Sequence, residues 1–250
     1  MMTVRAALDR AGARPAHAVA LVVILTFLSY LAAGTIAPSW LVPVLNTLAA
    51  LPVMVALLRD GRVGVAIGAM LAWALTMGVC ATTLAWWRPE TSAGLFVDAR
   101  AYEHEMFAWV QTGVGAEGDP RRFLPQHVGH AALFCTLSLA TGGLLSMPMG
   151  AVLMNYMGHY AGALAARSAD PFATALLAWH PWALVRVASF VTLGVLLAGP
   201  LWARVLGFRF AWRRHVRLAS VAALGLAIDV AIKWLLAPWW GEMLRVRVGW

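Results

Sequence analysis

Seven histidines occur in the chain, and four of them, His127, His130, His159 and His180, sit inside apolar stretches or at their edges. His127 and His130 are three residues apart, a spacing that puts both imidazoles on one face of a helix. Three or four nitrogen ligands of this kind suit zinc or copper. Arg186, Asp229 and Lys233 also fall within apolar stretches, and Asn155 lies near the centre of another. Charged groups in such settings are costly, so they pair, line a cavity or form a functional site. Catalytic motifs do not accompany them: the sequence has no H-E-x-x-H, no G-x-S-x-G elbow and no Gly-rich phosphate loop. No cofactor is therefore expected, with a metal ion or haem on the four histidines as the alternative.

The elements that must hold these residues are membrane spans. Hydrophobic residues make up 62% of the 250 and charged residues only 12%, too little polar surface for a water-soluble globule. Backbone groups in lipid must pair within their own segment, so long runs of Leu, Val, Ala and Gly predict helices. The expected fold is all-α, a polytopic transmembrane bundle of about seven spans in one integral domain covering 1–250. The spans are read over 18–37, 40–58, 63–87, 127–147, 149–166, 181–201 and 218–237. Arg5, Arg10 and Arg14 precede the first, whose length exceeds a signal-peptide core, so it reads as uncleaved. A helix over all of 128–166 would be about 60 Å long, twice the hydrocarbon thickness, which predicts a hairpin at Ser146-Met147-Pro148.

Between the third and fourth spans lies a polar segment, 88–126. In it Tyr102, Met106, Trp109 and Val110 follow helical spacing behind a potential cap at Asp98, which predicts a short amphipathic helix at the membrane surface. Gly64-x-x-x-Gly68 and Gly158-x-x-x-Gly162 permit close helix packing. Cys80 and Cys135 both lie in apolar runs and read as small buried hydrophobes.

The net charge of +8 comes largely from arginines beside spans, Arg209, Arg213, Arg214 and Arg217 among them. Lipid headgroups are the ordinary partners of such residues, and nucleic acid is not expected. With the N-terminus inside, the inner segments collect most of the arginines, while 88–126 faces out with six acids and four arginines. That pattern predicts a bacterial inner-membrane protein with a cytoplasmic N-terminus. His127, His130, His159, His180, Arg186, Asp229 and Lys233 then fall within roughly 12 Å of the outer interface, on four helices. Together with Asn155, they are candidates for one shared polar pocket. Snorkelling of Arg186, His180 and Lys233, with an Asp229–Lys233 pair one turn apart, would give the same depths.

One stretch, from His127 to Arg204, resembles a known family. An apolar helix opened by His127 and His130 leads to Thr141-Gly142-Gly143, then Asn155 followed by Gly158 and Gly162, then His180-Pro181 opening a helix. This order is similar to that of the stage II sporulation protein M family of polytopic membrane proteins. The family pairs Pro-His-Gly with a glutamate one turn later, whereas here His180-Pro181-Trp182 is followed by Leu184, so no catalytic residue carries over. Phe123 and His127 also fit an F-x-x-x-H element of intramembrane CAAX-type proteases, but Glu103-His104-Glu105-Met106 does not supply their paired-glutamate motif. The resemblance implies a polytopic membrane architecture. The expected function is a non-enzymatic component of an envelope or transport assembly, with membrane-protein partners, and the alternative is a membrane enzyme or redox protein holding a metal or haem through His127, His130, His159 and His180.

Overall fold

A computed structural model describes residues 15–36 and 38–250; Arg5, Arg10 and Arg14 lie outside the described residues. Ten α-helices are present among them and no strand: α1 (Pro15–Ile36), α2 (Val42–Arg59), α3 (Val63–Trp87), α4 (Pro89–Leu95), α5 (Ala99–Thr112), α6 (Pro120–Thr141), α7 (Ser146–Ala165), α8 (Pro171–Ala178), α9 (Pro181–Leu206) and α10 (Val216–Val248). Among the described residues five helical segments are long and apolar enough to cross a bilayer: Pro15–Gly34, Ser39–Arg59, Val63–Trp87, Pro181–Leu206 and Val216–Val248. Their outward side chains include Leu31, Leu75, Leu184, Leu224 and Leu235, all largely exposed. An apolar exposed belt of this kind belongs in hydrocarbon. The protein is a membrane-embedded helical bundle.

Helices α6 and α7 are less apolar than these five, and burial is the reason α7 can be. Its neighbours are α2, α3, α4, α5, α6 and α8, and every residue from Met157 to Ala165 is buried. A helix shielded by protein on all sides need not match lipid, so it tolerates Asn155, His159 and two tyrosines. Close contact with α3 depends on Gly158 and Gly162: a Cβ on Gly162 would stand 2.2 Å from the Thr82 carbonyl, and one on Gly158 2.5 Å from the Ala81 methyl. The other glycine pair has no such role among the described residues, where nothing lies within 4 Å of a Cβ at Gly64 or Gly68.

The hairpin exists, but its break precedes the expected Ser146-Met147-Pro148. Gly142 and Gly143 adopt φ of 62° and 96°, a left-handed geometry that glycine enters without steric cost. Ser146 already begins α7, and Pro148 lies in its first turn, where a missing N–H is harmless. The two helices run antiparallel, with Ser138 Oγ donating to Ser146 Oγ at 2.8 Å and Phe134 beside Gly150. Helix α6, the expected fourth span, also starts earlier than expected from 127–147: Asp119 accepts the Arg121 amide at 2.9 Å and Pro120 occupies the first turn.

Other boundaries move as well. Residues 88–126 form α4 and the first turns of α6 in addition to the expected helix, α5. The Tyr102, Met106, Trp109 and Val110 stripe is on α5, but it packs against Met157, Tyr160, Leu164 and Leu244 instead of lying on lipid. Asp98 precedes α5 with φ 55° and makes no side-chain cap. The loop expected after residue 166 contains α8, capped by Asp170, which accepts the Ala173 amide. Finally α10 continues through Pro238 to Val248, about 50 Å long, and its outer part clamps α5. Gly241 faces the Trp109 ring, and Arg247 pairs with Asp170 at 3.1 Å.

Candidate functional site: a roofed polar layer above an apolar cavity

Arg186 on α9 reaches the middle of α10, where its guanidinium forms a two-pronged bond with Asp229: Nε to Oδ2 at 2.8 Å and Nη2 to Oδ1 at 3.0 Å. Asp229 is fully buried, and His127 Nδ1 lies 3.3 Å from the same Oδ2. A fork-on-carboxylate pair is the geometry in which arginine compensates a buried anion best. The Asp229–Lys233 pair of the alternative, snorkelling arrangement is therefore not the one formed, because the acid is already taken by another helix.

Lys233, the only lysine in the chain, finds its carboxylate on a loop. Its Nζ donates to Glu117 Oε2 at 2.7 Å and stands 4.4 Å over the Phe123 ring. Trp182 Nε1 donates to Glu117 Oε1 at 2.7 Å, and His180 Nδ1 is 3.9 Å from that oxygen. Burial raises the Glu117 carboxyl, but Lys233, then His180 and Arg186, outweigh it and hold it at about 2. His180 is itself buried, stacked on Trp182 at 4.6 Å and edge-on to Trp109.

His159 belongs elsewhere. Its Nδ1 shares a 2.6 Å hydrogen bond with Ser92 Oγ on α4, and its Nε2 a 2.8 Å bond with Glu103 Oε2 on α5. Arg167 completes the set, 3.2 Å from Glu103. The His159 hydrogen bond holds the Glu103 carboxyl below its usual value, against burial and with help from Arg167. Ser92, His159 and Glu103 have the connectivity of a catalytic triad, yet Ser92 and His159 are both 0% exposed and neither lines a cavity. The chain of bonds ties α4 and α5 to α7. Asn155 joins a third network: its amide donates to Asn46 Oδ1 at 3.0 Å, Asn46 donates to Ser29 at 2.9 Å, and Tyr30 donates to the Asn155 carbonyl oxygen.

The four histidines thus do not converge. Among the described residues no group of three or more His, Cys, Asp or Glu is placed to hold a metal ion.

What the polar layer does enclose is a cavity of about 160 Å³. Glu117, Gln126, His127, His130, Arg186 and Lys233 line its outer part. Met54, Met70, Trp73, Met147 and Met154 line the inner part. Methionine side chains are unbranched and adapt to irregular or flexible contents. The roof is the 113–119 loop, with Glu117 as its anchor.

Glu117, Ser92 and Glu103 escaped reading from sequence because they are polar residues in a polar segment. A single signal pointed to Glu117: Lys233 needs an acid, and the acid nearest in sequence serves Arg186. Comparison with protein-family models, with curated proteins and with solved structures yields no match.

Proposed function

We propose that this chain is a multi-pass protein of the bacterial inner membrane that holds an amphiphilic molecule within its bundle, as a non-enzymatic component of an envelope or transport assembly. The cavity carries this reading. It has hydrogen-bonding and charged groups at one end and thioether and aromatic groups at the other, the pattern that fits a molecule with a polar head and an apolar chain.

The seven-span count is part of the proposal. Helix α7 spans about 30 Å, packs along α3 over its length, and runs antiparallel to α6, so both cross where their neighbours cross. The arginine-rich ends, with Arg59, Arg62, Arg204, Arg209, Arg213 and Arg214, then share one side, which supports a cytoplasmic N-terminus. The resemblance to the stage II sporulation protein M family favours the assembly role and membrane-protein partners. In this chain the residues that carry it serve the fold: Gly142 and Gly143 make the turn, Asn155 a buried network, Gly158 and Gly162 a helix contact.

Extraction of detergent-purified protein followed by mass spectrometry of the small molecules tests the cavity reading. A stoichiometric amphiphile that is retained by the wild type and lost in Leu153→Trp, where the indole would fill the space, is the expected result. Equal recovery from both proteins would assign the molecule to the outer surface and refute the reading.

A further inference from the structure

We infer that the cavity takes a single-chain amphiphile whose head is uncharged and hydrogen-bonding, such as an alcohol or a carbonyl compound, admitted from the lipid between α6 and α7. This deepens the cavity reading above and rests on it.

Charge balance comes first. The charged groups of the layer are committed in pairs, Arg186 with Asp229 at 2.8 Å and Lys233 with Glu117 at 2.7 Å. An anionic head would enter a low-dielectric space in which both cations are already compensated, and an uncompensated buried charge is expensive. The groups left over are a side-chain amide, an imidazole and a phenol. Gln126, His130 and Tyr156 all line the cavity, and none makes a side-chain hydrogen bond to another described residue. Arg186 adds the Nη1 donors that Asp229 does not take. An amide, an imidazole, a phenol and spare N–H groups match a hydroxyl or carbonyl oxygen.

Size comes next. About 160 Å³ is well below the roughly 300–1,000 Å³ of pockets that enclose a drug-sized ligand, so one chain fits and a two-chain phospholipid does not. The opening follows from the hairpin. Helices α6 and α7 touch near their turn, through Ser138–Ser146 and Phe134–Gly150. Further out the cavity lies between them, bounded by half-buried His130 on one side and half-buried Leu153 and Tyr156 on the other. A chain longer than the cavity would extend through this gap into the bilayer.

The test uses purified full-length protein in nanodiscs and a long-chain alcohol carrying a mid-chain diazirine. After irradiation, labelled peptides should map to α7 between Met147 and Met157. Unlabelled alcohol should compete at concentrations at least about tenfold lower than the alkyl phosphate of equal chain length, the factor that one unmatched charged group readily produces. His130→Phe and Tyr156→Phe should each reduce labelling about fivefold, the equivalent of one hydrogen bond. If His130→Phe fails to fold, Gln126→Leu replaces it. Equal or better competition by the phosphate would overturn the head assignment while leaving the cavity reading intact. Labelling confined to outward-facing residues such as Leu184 and Leu224 would overturn both. Undiminished labelling in all the folded variants would overturn the placement of the head.

Discussion

Arg186 and Asp229 illustrate how a buried pair depends on both members. Removing either one leaves a desolvated charge, which costs about 3–5 kcal/mol, whereas replacing both by apolar residues of similar volume is often close to neutral. Arg186→Leu and Asp229→Leu are therefore each expected to lower the melting temperature in nanodiscs markedly, and the double variant to be less damaging than the sum. Simple additivity of small effects would show that the two groups are solvated independently. Glu117 gives a pH signature. Its carboxyl lies below its unfolded value, so the stability it provides is complete above about pH 4.5 and declines as pH falls towards about 2. Melting temperatures should drop between about pH 5 and pH 3 in the wild type, with a shallower slope in Glu117→Gln; identical slopes would mean that Glu117 is not held by Lys233.

At the scale of elements, the α3–α7 seam is closely packed and sensitive to added volume. Gly162→Ala would place a methyl against the Thr82 carbonyl and should destabilise by about 1–3 kcal/mol, the usual range for overpacking. Gly68→Ala, on a face with open space, should have no measurable effect or stabilise slightly. Comparable losses at both positions would mean that α3 meets a partner on its Gly68 face. Helix α5 holds the roof by Met106 and Trp109, both buried. Met106→Glu with Trp109→Glu should lift it and raise the rate at which a water-soluble maleimide labels Leu153→Cys; an unchanged rate would show that the 113–119 loop closes the cavity without α5.

For the whole molecule, sidedness is the measurable property. With α6 and α7 proposed as spans, alternating helices would put the turn at Arg59–Arg62 and the basic loop near Arg209 at one end, and Gly115 at the other. Reporter fusions after Arg62 and after Arg209 should both read cytoplasm, and one at Gly115 should read the opposite side. Opposite readings at Arg62 and Arg209 would remove either α6 or α7 from the set of spans.

Much of this architecture was legible in one dimension, because hydrophobic length is a local property. The apolar runs of α1, α2, α3, α9 and α10 could be read directly, since lipid demands of each segment what it must contain. The α5 stripe was visible in its spacing, and the need for a turn between 128 and 166 followed from length alone. Partner choice was not legible. Asp229 could satisfy Lys233 one turn away or Arg186 on another helix, and only the packing of α9 on α10 decided it. Which side of α5 met water depended on α7 and the outer part of α10 being there to bury it. Glu117 lies 116 residues from Lys233 in the chain. Their pairing, the roof it fixes and the cavity beneath arise from contacts between elements that no local pattern encodes, because each helix can satisfy its own backbone without specifying which neighbour will satisfy its charges.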